Sequence, residues 1–153
     1  MNKKVVYSII VLIIIIILVI VSYGYLNSNS GNLTFGNHSQ VSAINGFKHQ
    51  TNNEGRIIFK NNVTIINVDE LNPNENLDEW LDKFIKRWGE EYKIENSSFV
   101  YKDNFTVRNT TSFKDDKFYS AHYLFKKNNK TFHIYLKGNQ NETAVMSLID
   151  SIH

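Results

Sequence analysis

Two histidines, His122 and His133, come closest to chemistry by type and spacing in this chain of 153 residues. They lie in FYSAHYLFKKNNKTFHIYLKG, where two alternating runs flank Asn128-Asn129, a pair that tolerates the positive φ of a tight hairpin turn. If Lys127 pairs with Lys130, His122 faces Tyr135 and His133 faces Leu124, so the two imidazoles are diagonal neighbours on one strand face. Two imidazoles at that spacing can approach one metal ion, but a zinc site takes three or four protein ligands. No acidic residue in the hairpin completes the set. A strand surface that faces water needs polar side chains, and Ser120, His122, Lys126, Thr131, His133, Tyr135 and Lys137 supply them. This face therefore reads as solvent-facing, and no residue is assigned as a metal ligand.

The other reactive groups are sparser. The chain has no cysteine, which removes disulfides, thiolate metal sites and thiol nucleophiles together. It has no Gly-x-Ser-x-Gly, and its seven glycines form no phosphate-cradling cluster. The acidic pairs Asp78/Glu79, Glu90/Glu91 and Asp115/Asp116 are neighbours in sequence, which suits a helix start, a loop and a turn. A glycosidase needs two carboxylates set across a substrate bond. No catalytic residue and no cofactor site is assigned.

Asparagine is the compositional outlier, with 21 residues. Eight begin Asn-x-Ser/Thr sequons: Asn32, Asn37, Asn62, Asn96, Asn104, Asn109, Asn129 and Asn141. Chance alone gives about three, so these are candidate glycosylation sites of an archaeal-type surface protein. Of 17 basic residues, Lys3 and Lys4 precede the first apolar run, leaving 15 to balance 15 acidic ones. A near-neutral domain argues against a nucleic-acid partner, which demands a basic patch.

The elements that must position these groups start with the run VVYSIIVLIIIIILVIVSYGYL. At 1.5 Å per residue, a helix over 5–26 reaches about 33 Å, enough for a hydrocarbon core of about 30 Å. The expectation is a single-pass transmembrane anchor over 5–26. Residues 1–4, with Lys3 and Lys4, would be a cytoplasmic tail and the remainder extracytoplasmic at the cell membrane. Residues 27–40, rich in Asn, Ser and Gly, read as a flexible tether that includes a short strand at Leu33–Phe35; 41–153 would be the folded domain.

Within that domain, Arg56–Lys60 and Val63–Val68 read as strands joined at Asn61-Asn62 by a type I′ turn. Asn76–Trp88 is an amphipathic helix with Leu77, Trp80, Leu81, Phe84, Ile85 and Trp88 on one face. Asn76 would cap it, with Glu79 as capping-box partner and Gly89 as a left-handed C′ residue. Both tryptophans read as core packing. Phe105–Phe113 is a further strand; Ala121, Tyr123, Phe125, Phe132, Ile134 and Leu136 form the core face of the last hairpin. Glu142–Ile152 closes the chain as a helix capped by Asn141.

The order carried by IIFKNNVTIINV, LDEWLDKFIKRW, FYSAHYLFKKNNKTFHIYLKG and AVMSLIDSIH resembles the PsbP-like fold over about 56–153. The expected fold class is α+β, with an antiparallel sheet of five or six strands packed with two helices and preceded by the transmembrane helix. The resemblance implies a non-catalytic accessory module that docks to a protein complex or a cell-wall component. The alternatives are an envelope hydrolase or metal-dependent enzyme using the His122/His133 face, and a structural surface glycoprotein.

Overall fold

A computed structural model describes residues 13–16 and 31–153. The chain divides into two compact units, Met1–Gly31 and Asn32–His153. In the first, 13–16 are helical, a reach of about 6 Å at the α-helical rise. Among the described residues no helix is long and apolar enough to cross a membrane. The expected transmembrane anchor, and with it the cell-membrane location and orientation, is corrected on that finding; the rest of 5–26 lies outside the described residues.

The second unit is mostly β. Its strands are β1 (Asn32–Phe35), β2 (Ser39–Ser42), β3 (Lys48–Thr51), β4 (Ile57–Lys60), β5 (Thr64–Leu71), β6 (Lys93–Tyr101), β7 (Phe105–Lys114), β8 (Lys117–Lys127) and β9 (Lys130–Gly138). Two helices, α1 (Leu77–Trp88) and α2 (Glu142–Ser151), complete it. β1 and β2 form a two-stranded sheet, and the others form a seven-stranded one in the order β3-β4-β5-β9-β8-β7-β6, every pairing antiparallel. The expected layout of five or six strands with two helices and a transmembrane helix is thereby corrected to nine strands in two sheets. The additional strands are ones whose sequences carry weak alternation. β3 (KHQT) is exposed throughout and β6 (KIENSSFVY) is largely so, because both are sheet edges with little to bury. β1 and the first two residues of β2 fall within 27–40, the stretch read as a tether.

Alternation explains which way the long strands face. Ile57 and Phe59, Ile66 and Val68, Ala121, Tyr123 and Phe125, and Phe132, Ile134 and Leu136 all turn to one side and are buried. Phe35, Val41 and Phe47 from the β1–β2 region and Ala144, Val145, Leu148, Ile149 and Ile152 from α2 pack against them in one cluster. Each fully buried Ile, Leu or Phe contributes about 1.5–3 kcal/mol, so this side is where the stability resides. Main-chain bonds from Gln40 N to His153 O (2.8 Å) and from His153 N to Gln40 O (3.1 Å) tie the chain after α2 to β2. Glu70 Oε2 fastens the β1–β2 turn to the large sheet by accepting from Ser39 Oγ (2.6 Å) and Asn37 N (3.1 Å).

Local details follow the sequence with three exceptions. Asn76 accepts from the N–H groups of Asp78 and Glu79, and Asn141 from that of Ala144, as caps. Glu79, however, pairs with Lys83 (2.7 Å), one helical turn on, where an opposite charge is nearer than the cap. Gly89 is right-handed (φ −66°), its N–H closing a last helical bond to Ile85 O. The β4–β5 connection is not the two-residue turn expected. Asn61 Oδ1 accepts from Val63 N and Thr64 N, which widens the loop and starts β5 at Thr64. The Asn128-Asn129 turn has φ of 53° and 60°, the type I′ geometry expected there.

Two buried threonines offer a stability test. Thr110 and Thr131 are fully buried, and neither Oγ1 has a hydrogen-bond partner among the described residues. Valine has the same shape without the stranded hydroxyl. Thr131→Val is expected to raise unfolding stability by about 1 kcal/mol or more, read as a higher urea midpoint at unchanged slope.

Candidate functional site

The second face of the large sheet is where sequence and structure part company. Ser120, His122 and Leu124 of β8 and Thr110 and Ser112 of β7 lie there and are buried, His122 with 8 % exposure. α1 covers them. An amphipathic helix with six apolar residues must bury its stripe on something, and this is the face left after α2 and the hairpin have taken the other. Arg108 on β7 forms an ion pair with Asp78 in the first turn of α1. At the other end Trp88 meets Tyr92 (ring centroids 6.2 Å), which lies on Tyr119 (4.6 Å).

Between these two fixings the helix stands off the sheet. None of its residues is buried. Its aromatic rings bridge the gap: Trp80 lies 5.5 Å from the His122 ring and 5.1 Å from that of His133, and Phe84 lies 4.5 Å from His122. Beside them is a cavity of about 510 Å³. Trp80, Phe84 and Trp88 form its roof; Asn67, Asp69, His133, Tyr135, His122, Ser120 and Ser112 form its floor; Arg56, Leu71, Tyr92 and Tyr119 stand at its rim.

Register places the floor residues. Asn67 on β5 faces Tyr135 on β9, which faces His122 on β8, which faces Thr110 on β7. One row over, Asp69 faces His133 and His133 faces Leu124, so the histidines are diagonal neighbours, as the hairpin register requires. A register shift next to Ser112 leaves Tyr119 without a partner residue on β7. That bulge lets the consecutive residues Tyr119 and Ser120 both line the cavity, where a regular strand would present only one.

A polar chain crosses the floor. Arg56 forms an ion pair with Asp69 Oδ1, and Asp69 Oδ2 lies 3.4 Å from His133 Nδ1. His133 Nε2 lies 2.9 Å from His122 Nδ1. With the His133 Nδ1–H directed to the carboxylate, Nε2 accepts and the His122 Nδ1–H donates. Burial penalises the charged form of Asp69, but the hydrogen bonds from His133 and Arg56 outweigh it and hold the carboxyl below its ordinary value. Burial, with the neighbouring His133, pushes His122 down to about 3. At the rim, Lys137 Nζ donates to Tyr119 Oη (3.0 Å) and lowers that phenol, whereas Tyr92, bonded to Tyr119 and Glu91, is raised.

Two floor atoms are stranded. Asn67 Oδ1 and Ser112 Oγ are buried with no hydrogen-bond partner among the described residues. Buried polar atoms are nearly always satisfied, so these two, like the hydroxyls of Thr110 and Thr131, are exceptions that cost stability.

The histidine face is thus covered and not solvent-facing. Among the described residues no group of three or more His, Cys, Asp or Glu is placed to hold a metal ion. The facing nitrogens of His122 and His133 are engaged with each other. Of the sequon asparagines, Asn32, Asn37, Asn62, Asn96, Asn104 and Asn129 are exposed, while Asn109 and Asn141 are half-buried. Asn109 Oδ1 accepts from the hydroxyl of Thr111 and Asn141 Oδ1 caps α2, so both side chains are already engaged. None of the eight lines the cavity. Trp80 and Trp88, read as core residues, are cavity roof, and Arg56, Asn67, Ser112 and Tyr119 carried no local signal. The available clue was Asn67 and Asp69 on the polar face of β5, opposite Tyr135 and His133, with an unassigned amphipathic helix nearby. No protein-family model matches the chain, and no curated protein is significantly similar to it.

Proposed function

We propose that the protein is a non-catalytic binding module and that the cavity beneath α1 is its binding site. The observation that carries this is the cavity itself: about 510 Å³, bordered by aromatic rings of α1, with polar side chains in its floor. Ligand sites are concave, largely apolar, a few hundred Å³ in volume and furnished with a few placed polar groups. The occupant is a small molecule, or a single group projecting from the protein or cell-wall component to which the module docks.

One observation favours a hydrolase instead: Asp69 orients His133 as a carboxylate orients a general base. Against it, the other nitrogen of His133 meets an imidazole and not a nucleophilic hydroxyl. A group titrating near 3, as His122 does, takes up no proton at neutral pH.

The test uses the protein's own reporters. The chain has two tryptophans, Trp80 and Trp88, and both line the cavity. Titration of the full-length protein with a panel of small neutral aromatic and saccharide probes is expected to give a saturable change in tryptophan emission with at least one of them. Ser120→Phe, which sets a ring into the floor, is expected to abolish that change while retaining a cooperative melt. A panel that leaves the emission of the wild-type protein unmoved would sink the proposal.

A further inference from the structure

We infer that the β6 edge of the large sheet is a self-association surface, on which a second copy of this chain docks β6 against β6 in antiparallel register. The two edges of that sheet are unlike. β3 has four residues and opens with Lys48 and His49, and a short, charged edge resists pairing with another chain. β6 runs nine residues, and its stretch Asn96–Val100 carries no charge and no proline. Among the described residues β7 is the only strand paired with it. Half of its main-chain N–H and C=O groups therefore point away from the sheet, a ready template for a further strand. Val100 stands on the same edge and, at 63 % exposure, is the most exposed large apolar side chain of Asn32–His153.

The hairpin shows which groups are free. Asn104 N donates to Tyr101 O (3.0 Å) in the turn that closes β6 onto β7. Tyr101 is thus a hydrogen-bonded position toward β7, and alternation makes Phe99, Ser97, Glu95 and Lys93 the same. The outward groups belong to Ile94, Asn96, Ser98 and Val100. These four positions are symmetric about Ser97, the midpoint of the strand. A two-fold axis through Ser97, perpendicular to the sheet, sets Ile94 opposite the partner's Val100 and Asn96 opposite the partner's Ser98. Every outward N–H and C=O then finds a mate, and one isologous contact joins the two sheets. Moving the axis to Asn96 or Ser98 pushes Val100 or Ile94 past the end of the facing strand.

The side chains agree with that register. Ile94 faces Ser112 on β7, so Ile94 and Val100 share the α1 side of the sheet and cover each other across the junction. On the other side Lys93 meets the partner's Tyr101, and Glu95 meets the partner's Phe99. No like charges stand opposite one another, an arrangement that would oppose pairing. A single strand pair lies at the small end of interface sizes, so the dimer forms reversibly and its population rises with concentration.

The test exploits the absence of cysteine from the chain. It uses the full-length protein made in a host that adds no glycans. The two Ser97 positions form a non-hydrogen-bonded pair with Cα atoms about 4.5 Å apart, inside the disulfide range of about 4.4–6.8 Å. Ser97→Cys is therefore expected to give a covalent dimer under mild oxidation. Ser98→Cys sets its two thiols on a diagonal of about 7–8 Å, and Gln50→Cys sets them on β3. Both are expected to cross-link at least tenfold more slowly. Val100→Lys, added to Ser97→Cys, is expected to slow its cross-linking at least tenfold. Because the side chain is exposed, the melting temperature of the monomer should not move. Sedimentation velocity of the wild-type protein should show a monomer–dimer shift with concentration that Val100→Lys abolishes. Equal cross-linking at the three cysteine positions would overturn the β6 register. Association that persists in Val100→Lys would assign it to another surface and overturn the proposal. A wild-type protein still monomeric at about 1 mM would also overturn it and leave the edge to a strand from a different protein.

Discussion

Lowering the pH from about 6.5 toward about 3 is expected to destabilise the protein steadily, and His122→Asn is expected to remove most of that loss. An exposed histidine in the unfolded chain titrates near 6.5, whereas buried His122 titrates at about 3 in the folded state. Between those values the unfolded chain holds a proton that the folded one does not. Stability therefore falls as pH falls, by up to about 1.4 kcal/mol per pH unit from this one group. Asp69 adds to the loss at the acid end. Its folded value lies below the ordinary one, so its contribution is present above about pH 4 and disappears as pH falls through the folded value. Asparagine carries an N–H near the place of the imidazole Nδ1–H, so His122→Asn keeps a donor to His133 Nε2 while discarding the titration. Urea midpoints measured across this range read the effect directly. An acid slope in His122→Asn as steep as in the wild-type protein would show that His122 is not its source.

The second large effect contrasts the two faces of the sheet. Phe132 is 1 % exposed and lies between Phe35 (6.0 Å) and Phe125 (5.5 Å). Phe132→Ala is expected to cost about 3–5 kcal/mol, a large part of the roughly 5–15 kcal/mol that holds a domain of this kind together. Phe84 is an aromatic residue of the same type on the opposite face, yet it is only half-buried and already borders empty space. Phe84→Ala enlarges an existing cavity instead of opening a new one, and its expected cost is nearer 1 kcal/mol. Denaturant unfolding of the two variants makes the comparison. Equal costs would mean that α1 packs as a second core and would remove the ground for a binding site beneath it.

The contrast explains how far the sequence could be read. Local rules sufficed for most contacts between residues close in the chain, though not for the Glu79 capping box, Gly89 or the Asn61-Asn62 turn. Asn76 and Asn141 cap their helices, Asn128-Asn129 turns the last hairpin, and Lys127 meets Lys130. From that register the closeness of His122 and His133 follows. The core face was legible because Ala121, Tyr123, Phe125, Phe132, Ile134 and Leu136 alternate without interruption. What escaped was the destination of α1. A single strand face of Ser, His, Thr and Tyr looks the same whether water or a helix stands over it, and only the allocation of α2 to the opposite face decides between them. The edge strands escaped for the opposite reason: Lys48–Thr51 and Lys93–Tyr101 bury little, so their sequences carry no periodic mark. The anchor rested on hydropathy alone, and the described residues hold no helix of spanning length.

The pairing of β5 with β9 has a kinetic consequence. It joins Thr64 to Gly138 and Leu71 to Thr131, with α1 and three strands of chain looped between, whereas β6 to β9 are joined successively by short turns. Closing a long loop carries an entropic cost that local hairpins avoid, so this central seam is the natural late event of folding. Asn67 and Asp69 stand on one side of it, His133 and Tyr135 on the other. A chain that has formed only its local hairpins holds the His133 and Tyr135 side of the cavity floor with nothing to face it, so the floor is completed in a single step when β5 docks on β9.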